Sequence, residues 1–203
     1  NKEAADSRTK SCVTITAAGC GFGYRKSRFN TKDKGRFFIT SIRLKLACKN
    51  PEPPFYPSVQ TYFEEHDTKT YTPQVLRNAV IAIRTSKLPD PALNPTNGSF
   101  FRNPIVDKQA SDKLKGKYPE LVSWDMEDEK VKISAAWLIE QAGFKDIHDK
   151  QTGMATWPHQ ALVLVNEHAK STADLLKFKQ KIVTSVKDKF GITLEQEPEL
   201  IGE

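Results

Sequence analysis

Between Asn50 and Pro57 the chain places four prolines, at positions 51, 53, 54 and 57. Each removes a backbone donor and restricts the residue before it, so neither a central strand nor a helix interior can run through this stretch. It has to be a connection. A boundary is therefore expected between there and Thr72, giving one region over residues 1–70, a second over 71–190 and a terminal strand over 191–203. The chain of 203 residues, 38% of them hydrophobic, holds enough apolar material for one large domain or two small ones with real cores.

Ahead of the boundary, Val13 to Thr16 is β-branched, and Phe38, Thr40, Ile42, Leu44 and Leu46 alternate with polar-looking partners. That periodicity predicts a half-buried sheet. Beyond it, Thr72-Pro73 reads as a helix start, with a capping hydroxyl and proline at the first helical position. Val75, Leu76, Ala79, Val80 and Ile83 follow at helical spacing, and the helix should end near Lys87. Leu88 to Gly98 is a Pro/Asn/Gly loop that delivers Ser99 to Val106 as a turn or short strand. Ser134 to Gln141 reads as a short helix closed by Gly143, and Ala161 to Val165 as a buried strand. From Ser171 a long amphipathic helix carries Leu175, Phe178, Ile182, Val183 and Val186 on one face and stops at Gly191. The expected class is α+β.

A net charge of +6 raises the question of nucleic acid, but Lys and Arg are spread among 25 acidic residues and no reader motif is present. An anionic small ligand, such as the diphosphate of a sugar nucleotide, fits the charge as well. The apolar runs are too short for a membrane span, so no membrane partner is expected. Cys12, Cys20 and Cys48 are odd in number and form no C-x-x-C pair, which points to a reducing, cytoplasmic setting. The four histidines, His66, His148, His159 and His168, show no metal-ligand spacing, so no metal is expected.

Gly19-Cys-Gly-Phe-Gly23 has a phosphate-loop look but does not open a helical pattern, so a turn between strands is its ordinary reading. Beside it, Arg25 offers a fork for a carboxylate. Asn97-Gly-Ser-Phe-Phe-Arg-Asn-Pro104 gathers a hydroxyl, a guanidinium and an amide around two aromatics, which suits either a functional loop or a turn anchored by Phe100 and Phe101. Ser99 has no His and Asp partners for an acyl-transfer triad. Trp124, Trp137 and Trp157 read as packing residues. Glu195, Glu197 and Glu199 alternate and should share one face of a terminal strand.

Several blocks in one order, Gly23-Tyr-Arg25, Arg84 to Asp90, Gly98 to Pro104, Ala136 to Gly143, His159 to Asn166 and Leu194 to Glu197, resemble the UDP-N-acetylenolpyruvylglucosamine reductases. The resemblance runs through nearly the whole chain and corresponds to the later half or so of a complete family member. It implies the C-terminal part of a FAD-binding α+β domain followed by a MurB-type α/β substrate-binding domain. The implied activity is FAD-dependent reduction of UDP-N-acetylglucosamine enolpyruvate to UDP-N-acetylmuramate with NADPH, in peptidoglycan precursor synthesis. The alternative is a UDP-sugar-binding module without redox chemistry, or an inactive piece lacking flavin.

Carried onto matching positions, the resemblance implies Ser99 as proton donor, with Arg25 and Glu197 stabilising the enol-like intermediate. It implies Tyr24, Tyr62, Lys87 and Asn103 as substrate-binding residues and Ile39 as a flavin contact. It also implies a flavin-binding segment, supplied in cis or in trans, that would precede Asn1. Pro198-Glu199 stands where relatives often carry Val-Arg, which leaves the register among Glu195, Glu197 and Glu199 open.

Overall fold

A computed structural model of the chain describes residues 12–201, which divide between Lys49 and Asn50 into two compact units. In the first, the Thr16 hydroxyl accepts from Gly19 N–H and caps a single helical turn, α1 (Ala17–Cys20), which Gly21 closes at φ 59°. Ser27 and Asn30 form a reciprocal cap on a 3₁₀ turn over Arg28–Asn30. Asp33 is buried between Arg28 at 2.5 Å and Arg36 at 2.7 Å.

Three expectations for this unit are corrected. Val13 to Thr16 is not a strand but the lead into α1. Gly19 to Gly23 lies at a helix C-terminus rather than between strands, because Gly21 takes the left-handed conformation that ends α1. The alternating stretch over 38–46 has no ladder partner among the described residues, and Phe38, Ile42, Leu44 and Leu46 are exposed. Alternation selects a face locally, but a sheet needs a second strand, which is a non-local requirement.

The second unit opens with two helices, α2 (Pro57–Glu65) and α3 (Pro73–Lys87), packed as a hairpin. Proline stands at the first turn of each, and the Thr72 hydroxyl accepts from Val75 N–H as its sequence predicted. Val59, Phe63 and Ala79 form a small core of their own, ringed by Phe55, Tyr71 and Val75. The prolines over 51–57 thus lead directly into a helix.

The remaining elements run β1 (Thr96–Ser99), β2 (Ile105–Asp107), α4 (Lys108–Lys117), β3 (Ser123–Asp125), β4 (Lys130–Ile133), α5 (Ala135–Gln141), β5 (His148–Asp149), β6 (Met154–Trp157), β7 (Gln160–Asn166) and α6 (Thr172–Phe190). They make two antiparallel sheets, ordered β1-β7-β6-β5 and β2-β4-β3. β7 is the central strand of the first, and its unbroken apolar run is explained by burial on both faces. Ala161 and Leu164 join the main core with Leu138, Phe178 and Ile182, while Val163 and Val165 pack on the other side with Ala155 and Leu88.

The predicted stop of α6 is present, Gly191 at φ 71°, and its predicted start near Ser171 is closed by a capping box of Ser171 with Asp174. Ser134 caps α5 by accepting from Trp137 N–H. Antiparallel sheets with segregated helices make the class α+β. Trp124 departs from its expected packing role: it is 46% exposed, with the Lys132 ammonium over its ring at 5.1 Å.

Candidate active site

The loop that sequence chemistry singled out is fixed from below by its aromatics. Phe100 and Phe101 are buried edge to face at 5.1 Å, and Phe100 N–H donates to Leu162 O at 2.8 Å. Gly98 turns the chain at φ 78°, and Thr96 Oγ1 both donates to Leu164 O at 2.7 Å and accepts from Gly98 N–H at 3.1 Å. Ser99 then ends β1 paired with Val163, its side chain exposed. The two readings of this loop are therefore compatible, since the anchored turn is what presents the hydroxyl.

A second segment lies along the first; among the described residues it is not the expected terminal strand but irregular chain joined at one isolated bridge, at Gln196. Ile192 and Leu194 are buried, Gln196 and Pro198 are half-buried, and Glu195, Glu197 and Glu199 share the exposed side as their alternation predicted. Phe101 and Gln196 form an antiparallel bridge, flanked by Arg102 N–H donating to Glu195 O at 2.9 Å and Glu197 N–H donating to Phe100 O at 2.8 Å. This sets the backbone pairing of the two segments. Glu195 stands opposite Arg102, whereas Glu197 is the glutamate whose own backbone is bonded to the residue following Ser99.

Asn103 continues this segment, and its Oδ1 accepts from Ala135 N–H at 2.9 Å, which satisfies an open donor in the first turn of α5. The amide NH₂ is the donor end of the same side chain. Ser99, Asn103 and Glu197 are thereby gathered on adjoining backbone. Tyr62 and Lys87 stand apart in sequence on the helical hairpin: Lys87 is exposed in the last turn of α3, and the ring of Tyr62 stacks on His66 at 4.0 Å and 17°. His66 Nδ1 lies 2.8 Å from Tyr62 O, so that nitrogen carries the proton. Tyr24, Arg25 and Ile39 belong to the first unit. Tyr24 and Ile39 are 51% and 59% exposed, and Arg25, at φ 54°, places its guanidinium 5.6 Å from the Tyr24 ring.

A groove of ≈ 380 Å³, lined by Thr96, Asn97, Asn166 and the start of α6, includes none of the predicted site residues. Sequence reasoning missed two contacts beside them, the His66 stack on Tyr62 and a bond from Lys179 to Gln196. The i, i+4 spacing of Tyr62 and His66 was a usable signal for the first. Nothing local foretells the second.

The family description "UDP-N-acetylenolpyruvoylglucosamine reductase, C-terminal domain" matches residues 90–201, more than half the chain. The chain belongs to this reductase family. The matched stretch contains Ser99, Asn103 and Glu197. Among curated relatives, the UDP-N-acetylenolpyruvoylglucosamine reductase of Alcanivorax borkumensis is 41% identical over 182 residues, which is 90% of this chain and 52% of that protein. The proteins of the same name from Chromobacterium violaceum and Flavobacterium johnsoniae are each 38% identical, over 94% and 95% of this chain and 55% and 57% of their own lengths. The chain thus spans about half the length of the reductases it matches.

Proposed function

We propose that this chain is the substrate-binding and proton-delivering part of a FAD-dependent, NADPH-using reductase that converts UDP-N-acetylglucosamine enolpyruvate to UDP-N-acetylmuramate in cytoplasmic peptidoglycan precursor synthesis. The observation that carries this is the backbone pairing of the Ser99 loop with the segment of Glu197, within the stretch that matches the family. In this reading residues 1–70 complete a flavin-binding domain, 71–190 bind substrate and 191–203 return toward the reacting centre.

FAD requires both a face for its ring and a cradle for its diphosphate. Exposed Ile39, beside exposed Phe38, suits the first. The Gly19 to Gly23 stretch does not suit the second, because it sits where α1 ends and the N–H groups of Gly19, Cys20, Gly21 and Gly23 are already bonded to Thr16, Ala18 and Lys26. The described residues therefore do not fit a whole flavin, and the cradle is assigned to a further segment in cis or in trans. Hydride chemistry goes with that segment.

What falls to this chain is binding, orientation and one proton. Lys87 and the Asn103 NH₂ supply a cation and a donor for the diphosphate, and Tyr24 and Tyr62 supply phenols for the sugar nucleotide. Arg25 offers a fixed guanidinium for the substrate carboxylate as negative charge grows on it. Ser99 is a poor acid in water, so its proton is useful only where positive charge or a water network offsets the developing alkoxide; Arg25 and Glu197 keep the part the family resemblance gives them, with the enol-like intermediate.

Calorimetric titration with UDP-N-acetylglucosamine enolpyruvate, with and without FAD, tests the reading. Binding by this chain, together with flavin retention by a form carrying the relatives' additional length, is the expected result. In that longer form Ser99→Ala should lower kcat by about 10²–10⁴-fold with KM changed little. Ligand binding with no flavin requirement in any form would mean a non-redox sugar-nucleotide module, and no binding would overturn the reading.

A further inference from the structure

We propose that Lys179 is a positioning residue for Glu197, acting through Gln196. The inward row of the segment after α6 begins with Ile192 and Leu194, both buried. Gln196 is the next inward residue and is polar. Its amide is used at both ends: Oε1 accepts from Lys179 Nζ of α6 at 2.8 Å, and Nε2 donates to Pro198 O at 2.9 Å. One side chain thus fixes the residues on either side of Glu197, and α6 fixes that side chain.

The backbone bonds of this segment to the Ser99 loop are Arg102 N–H to Glu195 O and Glu197 N–H to Phe100 O, on either side of the Phe101–Gln196 bridge. A segment paired at an isolated bridge opens locally at lower cost than one inside a ladder. A charge-assisted bond in a half-buried place resists that opening better than a neutral one, and its loss would leave Gln196 Oε1 half-buried and unpaired. Lys179 also makes no ion pair among the described residues, so its ammonium is committed to the amide and not shared with a carboxylate. The consequence for catalysis rests on the proposed role of Glu197, but the positioning itself does not.

The test reads amide hydrogen exchange at three sites of the chain: Glu197 N–H, Arg102 N–H and, as a reference on the other side of the loop, Phe100 N–H, which donates to Leu162 O. Lys179→Met keeps the stem and removes the donor. It should speed exchange at Glu197 by about tenfold and leave Phe100 unchanged, and Lys179→Arg should restore the Glu197 rate to within about twofold. Unchanged Glu197 exchange in Lys179→Met, or acceleration at Phe100 in parallel, would overturn the proposal. Failure of the reaction reading shows separately, as turnover by a flavin-bearing form that Glu197→Gln leaves intact.

Discussion

The amide of Asn103 has a structural duty and, in the proposed reading, a binding one. Its oxygen closes a helix donor at Ala135, and its NH₂ is the group proposed for the diphosphate. The two duties separate by substitution. Asn103→Asp keeps an acceptor for Ala135 N–H and adds negative charge at a helix N-terminus, so thermal stability should hold or rise slightly. Ligand affinity should fall at least tenfold, because a carboxylate would then face the phosphates. Asn103→Ala should lose both, with stability reduced by about 1 kcal/mol. Thermal denaturation beside calorimetric titration distinguishes the two duties; equal affinity in the Asp and wild-type proteins would remove Asn103 from the binding set. The residue types here were legible in the sequence, but the engagement of the oxygen was not. Asn103 and Ala135 are far apart along the chain and meet only when β2, β4 and α5 assemble.

Helices were the most legible elements, because their ends are written locally. Thr72-Pro73, Ser134 and the pair Ser171 and Gly191 each cap the helix their sequence predicted. Helix α2 is obscured in the sequence by the prolines before it, although Pro57 at the first turn with Val59 and Phe63 four apart on one face is a readable start. Strands β3 and β4 are too short for alternation to register. Close approach is also invisible in one dimension. Gly153 sits at φ 70°, with the carbon of His168 and the nitrogen of Ala169 each 2.6 Å from where a Cβ would stand. Its carbonyl accepts from Glu167 and His168 N–H, both at 3.0 Å. Gly153→Ala should therefore cost about 2–4 kcal/mol, from left-handed strain plus displaced backbone, measured by chemical denaturation. A loss under about 0.5 kcal/mol would show that the β5–β6 turn and the 167–169 backbone can separate freely.

Across the second unit, titrating groups bind strands and helix together with opposite pH signs. His148 on β5 bonds Glu167 through Nδ1 at 2.7 Å, with Asp146 at 3.5 Å from Nε2, and the Glu167 bond raises its pKa above 6.5. Its contribution is complete below the unfolded value and is lost as pH rises through the folded one. Asp149 is partly desolvated, which pushes its pKa up, yet the bond from Lys181 and those from Gln151 and Thr152 hold it below 3.8 overall. Asp174 is lowered by its bond with Ser171 and those from the Lys170 and Ser171 backbones. Both contribute above the unfolded carboxylate range, and this is lost as pH falls through the folded values. Denaturation midpoints should thus pass through a maximum at mildly acidic pH. His148→Gln should flatten the alkaline side of that curve and leave the acid side unchanged.

The pairing of Phe101 with Gln196 also sets an order of events during synthesis. A ribosome delivers Phe101 well before Gln196, and α6 with its buried face emerges between the two. Nascent chains can therefore gather their core while the Ser99 loop still waits for the segment that will lie along it, so architecture precedes that last pairing.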